Sequence, residues 1–287
     1  MSGGLMAKTG PQRYPGASTA YWWGDNYAGA PMEINAVVWH TTEGTTLPTY
    51  GNGASAPTLT AVPDFAARKL RWYQHFDLEQ SARALVDRAG GITTNRNNLA
   101  QVELVGTCDP ATHRKWEAAG RAHIYWPEAP EWALREVAAF VRWLHENHGV
   151  PMTSTVTWRA YPGSYGQNAP QRLSADAFNE YRGHLGHQHV PEGNDHGDPG
   201  NFDMARVLRY AAGTPEEDPM ALSDKDVDRI ALRVLAYRNK DADEKSKAAG
   251  RRIPDFYGYV ARTYDTVVTL PAKLDRIIAL LSGKKET

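Results

Sequence analysis

The chain has 287 residues, 41% hydrophobic and 23% charged, enough for one domain of ordinary size with a buried core and an appendage. A formal net charge of −1 gives no overall electrostatic footprint for nucleic acid, and a single cysteine, Cys108, excludes an internal disulfide framework and a cysteine-rich zinc finger. No stretch approaches twenty uninterrupted apolar residues, and the start, Met1-Ser2-Gly3-Gly4-Leu5-Met6-Ala7-Lys8, lacks the basic region and apolar core of a signal peptide, so neither membrane insertion nor export by a leader is expected.

Residues 1–20 are rich in Gly, Pro and Ser and read as a flexible N-terminal arm. Short runs of Val, Trp, Tyr and Leu bounded by turn formers predict strands at Ile34–Trp39, Arg71–Phe76, Ala82–Val86 and Gln101–Val105. Helices are expected at Ala61–Lys69 and at Glu131–His148, where Trp132, Val137, Phe140, Val141 and Leu144 recur at helical spacing before Gly149-Val150-Pro151 stops the pattern. A further helix is expected over Ser174–Arg182. Strands and helices mixed at this density predict an α/β or α+β fold with a central mixed sheet flanked by helices. Beyond residue 212, Gly213-Thr214-Pro215-Glu216-Glu217-Asp218-Pro219 begins a polar linker over 213–222, after which none of the nine tryptophans occurs. Apolar stripes at helical spacing, Val227, Ile230, Val234 and Leu235, then Leu274, Ile277, Ile278 and Leu281, predict a small helical module over 223–287. A segment this short buries little core alone, so it is expected to associate with a second copy, the preceding domain 21–212 or a surface.

The chemistry concentrates in Gly186–Gly200, which packs His187, His189 and His196 with Glu192, Asp195 and Asp198 into a Gly- and Pro-punctuated loop. Imidazole and carboxylate are the ligands of catalytic zinc sites that keep one position open. A third donor is best supplied by His40, at the tip of the apolar run Ile34–Trp39. The residues alone leave His187 and His189 as alternatives, and Asp198 could equally serve as a turn or cap residue before Pro199-Gly200. Glu103, flanked by Val102 and Leu104, is either an exposed strand residue or a carboxylate held for chemistry. No nucleophile elbow, thiol-peptidase pattern or phosphate-cradling glycine loop is present. Most of the tryptophans are expected in the core rather than in a sugar-stacking groove.

Three motifs in order, Val37-Val38-Trp39-His40-Thr41-Thr42-Glu43-Gly44, Leu99-Ala100-Gln101-Val102-Glu103-Leu104-Val105-Gly106 and Gly186-His187 through Asp198-Pro199-Gly200, resemble the zinc-dependent N-acetylmuramoyl-L-alanine amidases of the amidase-2/peptidoglycan-recognition family. Tyr161-Pro162-Gly163-Ser164-Tyr165-Gly166 adds a likeness to endolysins of actinobacterial phages, and the whole resemblance covers roughly residues 20–210. It implies Zn2+ held by His40, His187 and Asp198, Glu103 as the acid/base, and His196 stabilising the oxyanion, with His189, Glu192 and Asp195 in supporting roles. Gly193 is an extra residue relative to the family pattern. The implied substrate is bacterial peptidoglycan, cut between N-acetylmuramic acid and L-alanine. The implied setting is the host cytoplasm before release to the wall, or a virion. A non-catalytic peptidoglycan-binding protein and a zinc peptidase acting within the stem peptide are the rival readings, and the C-terminal helices are a candidate homo-oligomer contact.

Overall fold

In a computed structural model, residues 10–87, 92–191, 195–213, 247, 248 and 250 are described. The chain divides into two compact units, Met1–Glu216 and Glu217–Thr287. In the second, Lys247 and Ala248 are helical and Gly250 has φ +58°. The C-terminal stripes at 227–235 and 274–281 lie outside the described residues, as do residues 1–9.

Among its described residues the first unit carries five strands, β1 (Ala36–Thr41), β2 (Leu59–Asp64), β3 (Lys69–Gln74), β4 (Leu99–Leu104) and β5 (Gly183–Gly186), and four α-helices, α1 (Pro110–Ala118), α2 (Glu131–His148), α3 (Ala175–Glu180) and α4 (Met204–Ala211). The strands form one mixed sheet in the order β3-β2-β4-β1-β5. β1 runs parallel to β4 and β5, β2 runs parallel to β4, and the edge strand β3 is antiparallel to β2. This is the α/β architecture with a mixed sheet that the alternation of elements predicts.

Period-two alternation divides the sheet into two faces. Val37 and Trp39 of β1, Leu59 and Ala61 of β2, Leu70 and Trp72 of β3, and Ala100, Val102 and Leu104 of β4 join one large core with α2 and α4. α2 presents Ala133, Leu134, Val137, Ala138, Phe140, Val141, Leu144 and His148 inward, and ends where Gly149 adopts φ +69°, a left-handed cap. Trp72 stacks on Phe140 at 4.7 Å between ring centroids. The opposite face has a smaller apolar cluster around Ala36, Val38, Leu99, Phe178 and Leu185 near the N-terminal ends of the parallel strands. Toward their C-terminal ends this face turns polar, with Thr60, Glu103 and His40 side by side in register across β2, β4 and β1.

The structure corrects three expectations. Ala61–Lys69 is not a helix. It contains most of β2 and the turn to β3, where Arg68 takes φ +49°; pairing of Leu59–Asp64 with Lys69–Gln74 overrides the helical leaning of Phe65-Ala66-Ala67-Arg68-Lys69. Ala82–Val86 is not a strand. Its backbone is instead tied to side chains, with Ala84 N donating to Gln101 Oε1 at 2.9 Å and Leu85 N to Asn95 Oδ1 at 3.1 Å. From Gly10 onward the supposed arm is pinned to the domain. Tyr14 makes edge contacts with Trp72, Phe140 and Trp143, and Ser18 N donates to the Trp72 carbonyl at 2.8 Å. Among the described residues no helix is long and apolar enough to cross a membrane.

Candidate metal centre

β1 and β5 place the first two donors. They are parallel with Trp39 opposite Gly186, so the next residues, His40 and His187, leave adjacent strands at the same level. A Cβ at Gly186 would come 2.8 Å from Pro199 Cδ and 2.8 Å from the Trp158 ring, so glycine permits the close return of the loop that carries Asp198. That carboxylate is held by β1 itself, since Thr41 N donates to Asp198 Oδ2 at 3.1 Å. His40, His187 and Asp198 are all buried, and together they could hold a metal ion.

The spacing of their polar atoms tests the fit. His40 Nδ1 lies 3.0 Å from His187 Nδ1 and 3.5 Å from Asp198 Oδ2, and His187 Nδ1 lies 3.2 Å from Asp198 Oδ1. Ligands held at about 2.0–2.1 Å around a tetrahedral ion stand roughly 3.3 Å apart. The two nitrogens and the carboxylate, which faces His40 with Oδ2 and His187 with Oδ1, are close enough to converge on a small divalent cation. Burial disfavours ionisation of Asp198, yet contacts with His187, His196 and His40 outweigh it and hold the carboxyl well below the usual range.

Glu103 stands beside His40 on β4 and partly opens to the same cleft. Its Oε2 is buried without a hydrogen-bond partner among the described residues. Burial, then the nearby Asp198 and Glu43 charges, push its carboxyl up to about 8, while His187 pulls the other way. A cation in the cluster would draw that value back down, because an opposite charge favours the ionised form. His196 lies at the rim with its side chain 63% exposed, its Nδ1 3.7 Å from Asp198 Oδ1 and its ring 4.7 Å from that of His187.

His189 is oriented differently. Gly186 N donates to its Nδ1 at 2.9 Å, which leaves the proton on Nε2, 3.0 Å from the Thr157 carbonyl. Burial lowers its pKa to about 4, so it is a neutral ring that ties the loop to backbone. Between the two alternatives, the structure therefore brings His187 to the cluster. Asp195 lines the cleft, and Glu192 and Gly193 lie outside the described residues.

The cleft has a volume of about 640 Å3 and is also lined by Glu43, Tyr50 and Tyr165, to which the sequence reading assigned no role. Glu43, with φ +49°, accepts from Thr41 Oγ1 at 2.6 Å, Cys108 N at 3.0 Å and Thr107 Oγ1, fastening the turn after β1 to the segment after β4. Its position directly after His40-Thr41-Thr42 is the signal that could have drawn attention to it. Arg172 carries no such signal, yet its guanidinium donates to the carbonyls of Gly166 and Val190, both at 2.8 Å, and of His196. It clamps the Gly186–Gly200 loop to the segment before it.

No family model matches the chain, and no curated protein matches it. A solved structure of a PlyL mutant aligns at 16% identity with a TM-score of 0.29, covering 42% of this chain and 66%, just under two thirds, of that one.

Proposed function

We propose that the chain is a zinc-dependent N-acetylmuramoyl-L-alanine amidase, an endolysin-type enzyme that hydrolyses bacterial peptidoglycan. The observation that carries this reading is the pairing of a convergent, buried His40–His187–Asp198 donor set with the unpartnered Glu103 oxygen in one cleft. The choice of zinc follows from donor chemistry, two imidazoles and one carboxylate with room for a further ligand. The choice of bond follows from the motif resemblance.

A zinc ion held by His40, His187 and Asp198 would supply Lewis acidity and a water acidified toward neutrality. Glu103 takes a proton from the attacking water and delivers it to the leaving nitrogen. The water oxygen joins the lactyl carbonyl carbon, the C–N bond breaks, and a carboxylate and the alanine amine result. A carboxyl pushed upward by burial suits both halves of this transfer. His196, at the rim beside Asp198, would donate a hydrogen bond to the carbonyl oxygen as charge develops there. Thr41 N and Arg172 keep the donor loop in place while the substrate exchanges. The apolar stripes in the sequence beyond residue 222 would add self-association or attachment to the wall.

The test is digestion of purified actinobacterial peptidoglycan by the zinc-loaded protein, with mass identification of released peptides and new amino termini. New L-alanine amino termini, lost on Glu103→Ala, are expected. New termini within the stem peptide would instead make the protein a peptidase, and tight binding without products would make it a recognition module.

A further inference from the structure

A chain of four polar groups, the Tyr21 carbonyl, His75, Thr60 and Tyr50, leads to the cleft, and the tautomer of one histidine sets its direction. His75 Nδ1 lies 2.7 Å from the Tyr21 carbonyl oxygen, which can only accept, so Nδ1 carries the proton. Burial lowers the pKa of His75 to about 4, against the opposing pull of that carbonyl, so the ring is neutral and Nε2 is an acceptor. Thr60 Oγ1, 2.9 Å from Nε2, must then spend its single proton on His75. The Tyr50 hydroxyl, 2.7 Å from Thr60 Oγ1, must in turn donate to Thr60. Burial, and after it the Glu103 charge, raise the Tyr50 pKa far above its ordinary value, so the phenol keeps the proton it donates. With that proton directed away, the Tyr50 oxygen offers only lone pairs to the cleft. Thr60 is paired in register with Glu103, so these lone pairs lie on the Glu103 side of the site.

We propose that Tyr50 is the hydrogen-bond acceptor for the scissile N–H of the substrate, held in that polarity by Thr60 and His75 as positioning residues. This rests on the amidase reading and deepens it. When the C–N bond breaks, the nitrogen gains a proton from Glu103 and becomes a better donor, so an acceptor beside it is favoured more in the transition state than in the bound substrate. An ester of the same shape has no proton at that position. The site therefore discriminates in favour of an amide through a group that neither binds the metal nor transfers a proton.

The test compares two soluble substrates, a muramyl peptide and its depsi analogue in which oxygen replaces the scissile N–H, each with the zinc-loaded full chain. Tyr50→Phe should lower kcat/KM on the amide about tenfold, the worth of one hydrogen bond, with most of the loss in kcat, and should leave the ester rate nearly unchanged. Thr60→Val should show the same substrate-dependent loss, and Thr60→Ser, which restores the hydroxyl, should recover the amide rate. The 15N resonances of His75 provide a readout independent of turnover, with Nδ1 protonated and Nε2 bare. Equal losses on amide and ester, or a His75 protonated at Nε2, would overturn the inference while leaving the amidase reading intact. Absence of amide cleavage by the wild-type protein would overturn the amidase reading and the scissile-bond assignment with it.

Discussion

Among the described residues, two buried assemblies pair histidine with a carboxylate, and they are built to different ends. At the C-terminal end of α2, His148 Nδ1 lies 3.3 Å from Glu79 Oε1 and its Nε2 lies 3.0 Å from the Pro11 carbonyl, while Glu79 Oε2 accepts from Gln12 Nε2 at 2.9 Å. The ring nitrogens there point outward to separate partners, and the result is a seam that holds residues 10–12 against the domain. At the sheet's C-terminal edge, His40 Nδ1, His187 Nδ1 and the Asp198 carboxylate point inward at one another and face a cleft. Burial and a neighbouring carboxylate are common to both. Convergence of donor atoms on one point distinguishes the candidate metal centre from the structural pair.

This contrast can be broken most sharply by removing donors. His40→Ala and Asp198→Ala should reduce hydrolysis to background, whereas His148→Ala should lower the melting temperature and leave the turnover of the folded fraction near wild type. A loss of catalysis in His148→Ala at temperatures where it is fully folded would erase the distinction. Next in size is Glu103→Gln, expected to lower kcat about a hundredfold or more with zinc content unchanged, since that is the range of an acid/base group.

Arg172→Ala should follow, with zinc affinity lowered about 10–100-fold, the effect of losing a group that orients ligands from outside the coordination sphere. Arg172→Lys should restore it only partly, because an ammonium cannot reproduce the planar fork that reaches several carbonyls. Competition with a fluorescent zinc chelator gives the affinities. Unchanged affinity would show that the loop is rigid without the clamp.

The smallest effect concerns the metal-free protein. Glu103 has a folded-state pKa raised to about 8, above the ordinary carboxylate value, so its neutral form contributes stability that is present below the ordinary range and is lost as pH rises through about 8. Apoprotein should therefore lose stability over that interval more steeply than Glu103→Gln, as followed by chemical denaturation at a series of pH values. Added zinc should reduce the difference. Identical pH profiles for the two apoproteins would contradict the buried, unpartnered state assigned to this carboxylate.

Much of the sheet was legible in the sequence because β1 and β4 are short, largely apolar runs and β3 alternates Leu70 and Trp72 with polar residues, all with clear punctuation, and α2 because its periodicity is sustained and ends at Gly149. β5 was missed. Gly183-His184-Leu185-Gly186 has no β-branched residue, and it is a strand because it pairs with β1, a tertiary cause that leaves no local trace. That omission is also why His187 and His189 stood as alternatives. The motif resemblance favours His187, and the opposition of Trp39 to Gly186 gives the physical reason that it emerges beside His40. α1 was missed although Asp109-Pro110 is a capping signal, with the Asp109 side chain accepting from Ala111 N and Thr112 N, because the helix buries little beyond Trp116 and has a weak apolar pattern. Tyr50, Thr60 and His75 come together only through strand register and the turn before β2, so nothing local in the chain linked them.

The most direct measurement is calorimetric titration of zinc into chelator-treated protein and its single variants. One zinc per chain is expected for the wild type, His189→Gln and Glu103→Gln, with binding abolished in His187→Ala. Retained stoichiometric binding in His187→Ala together with its loss in His189→Gln would contradict the assignment of His40, His187 and Asp198 as the metal centre.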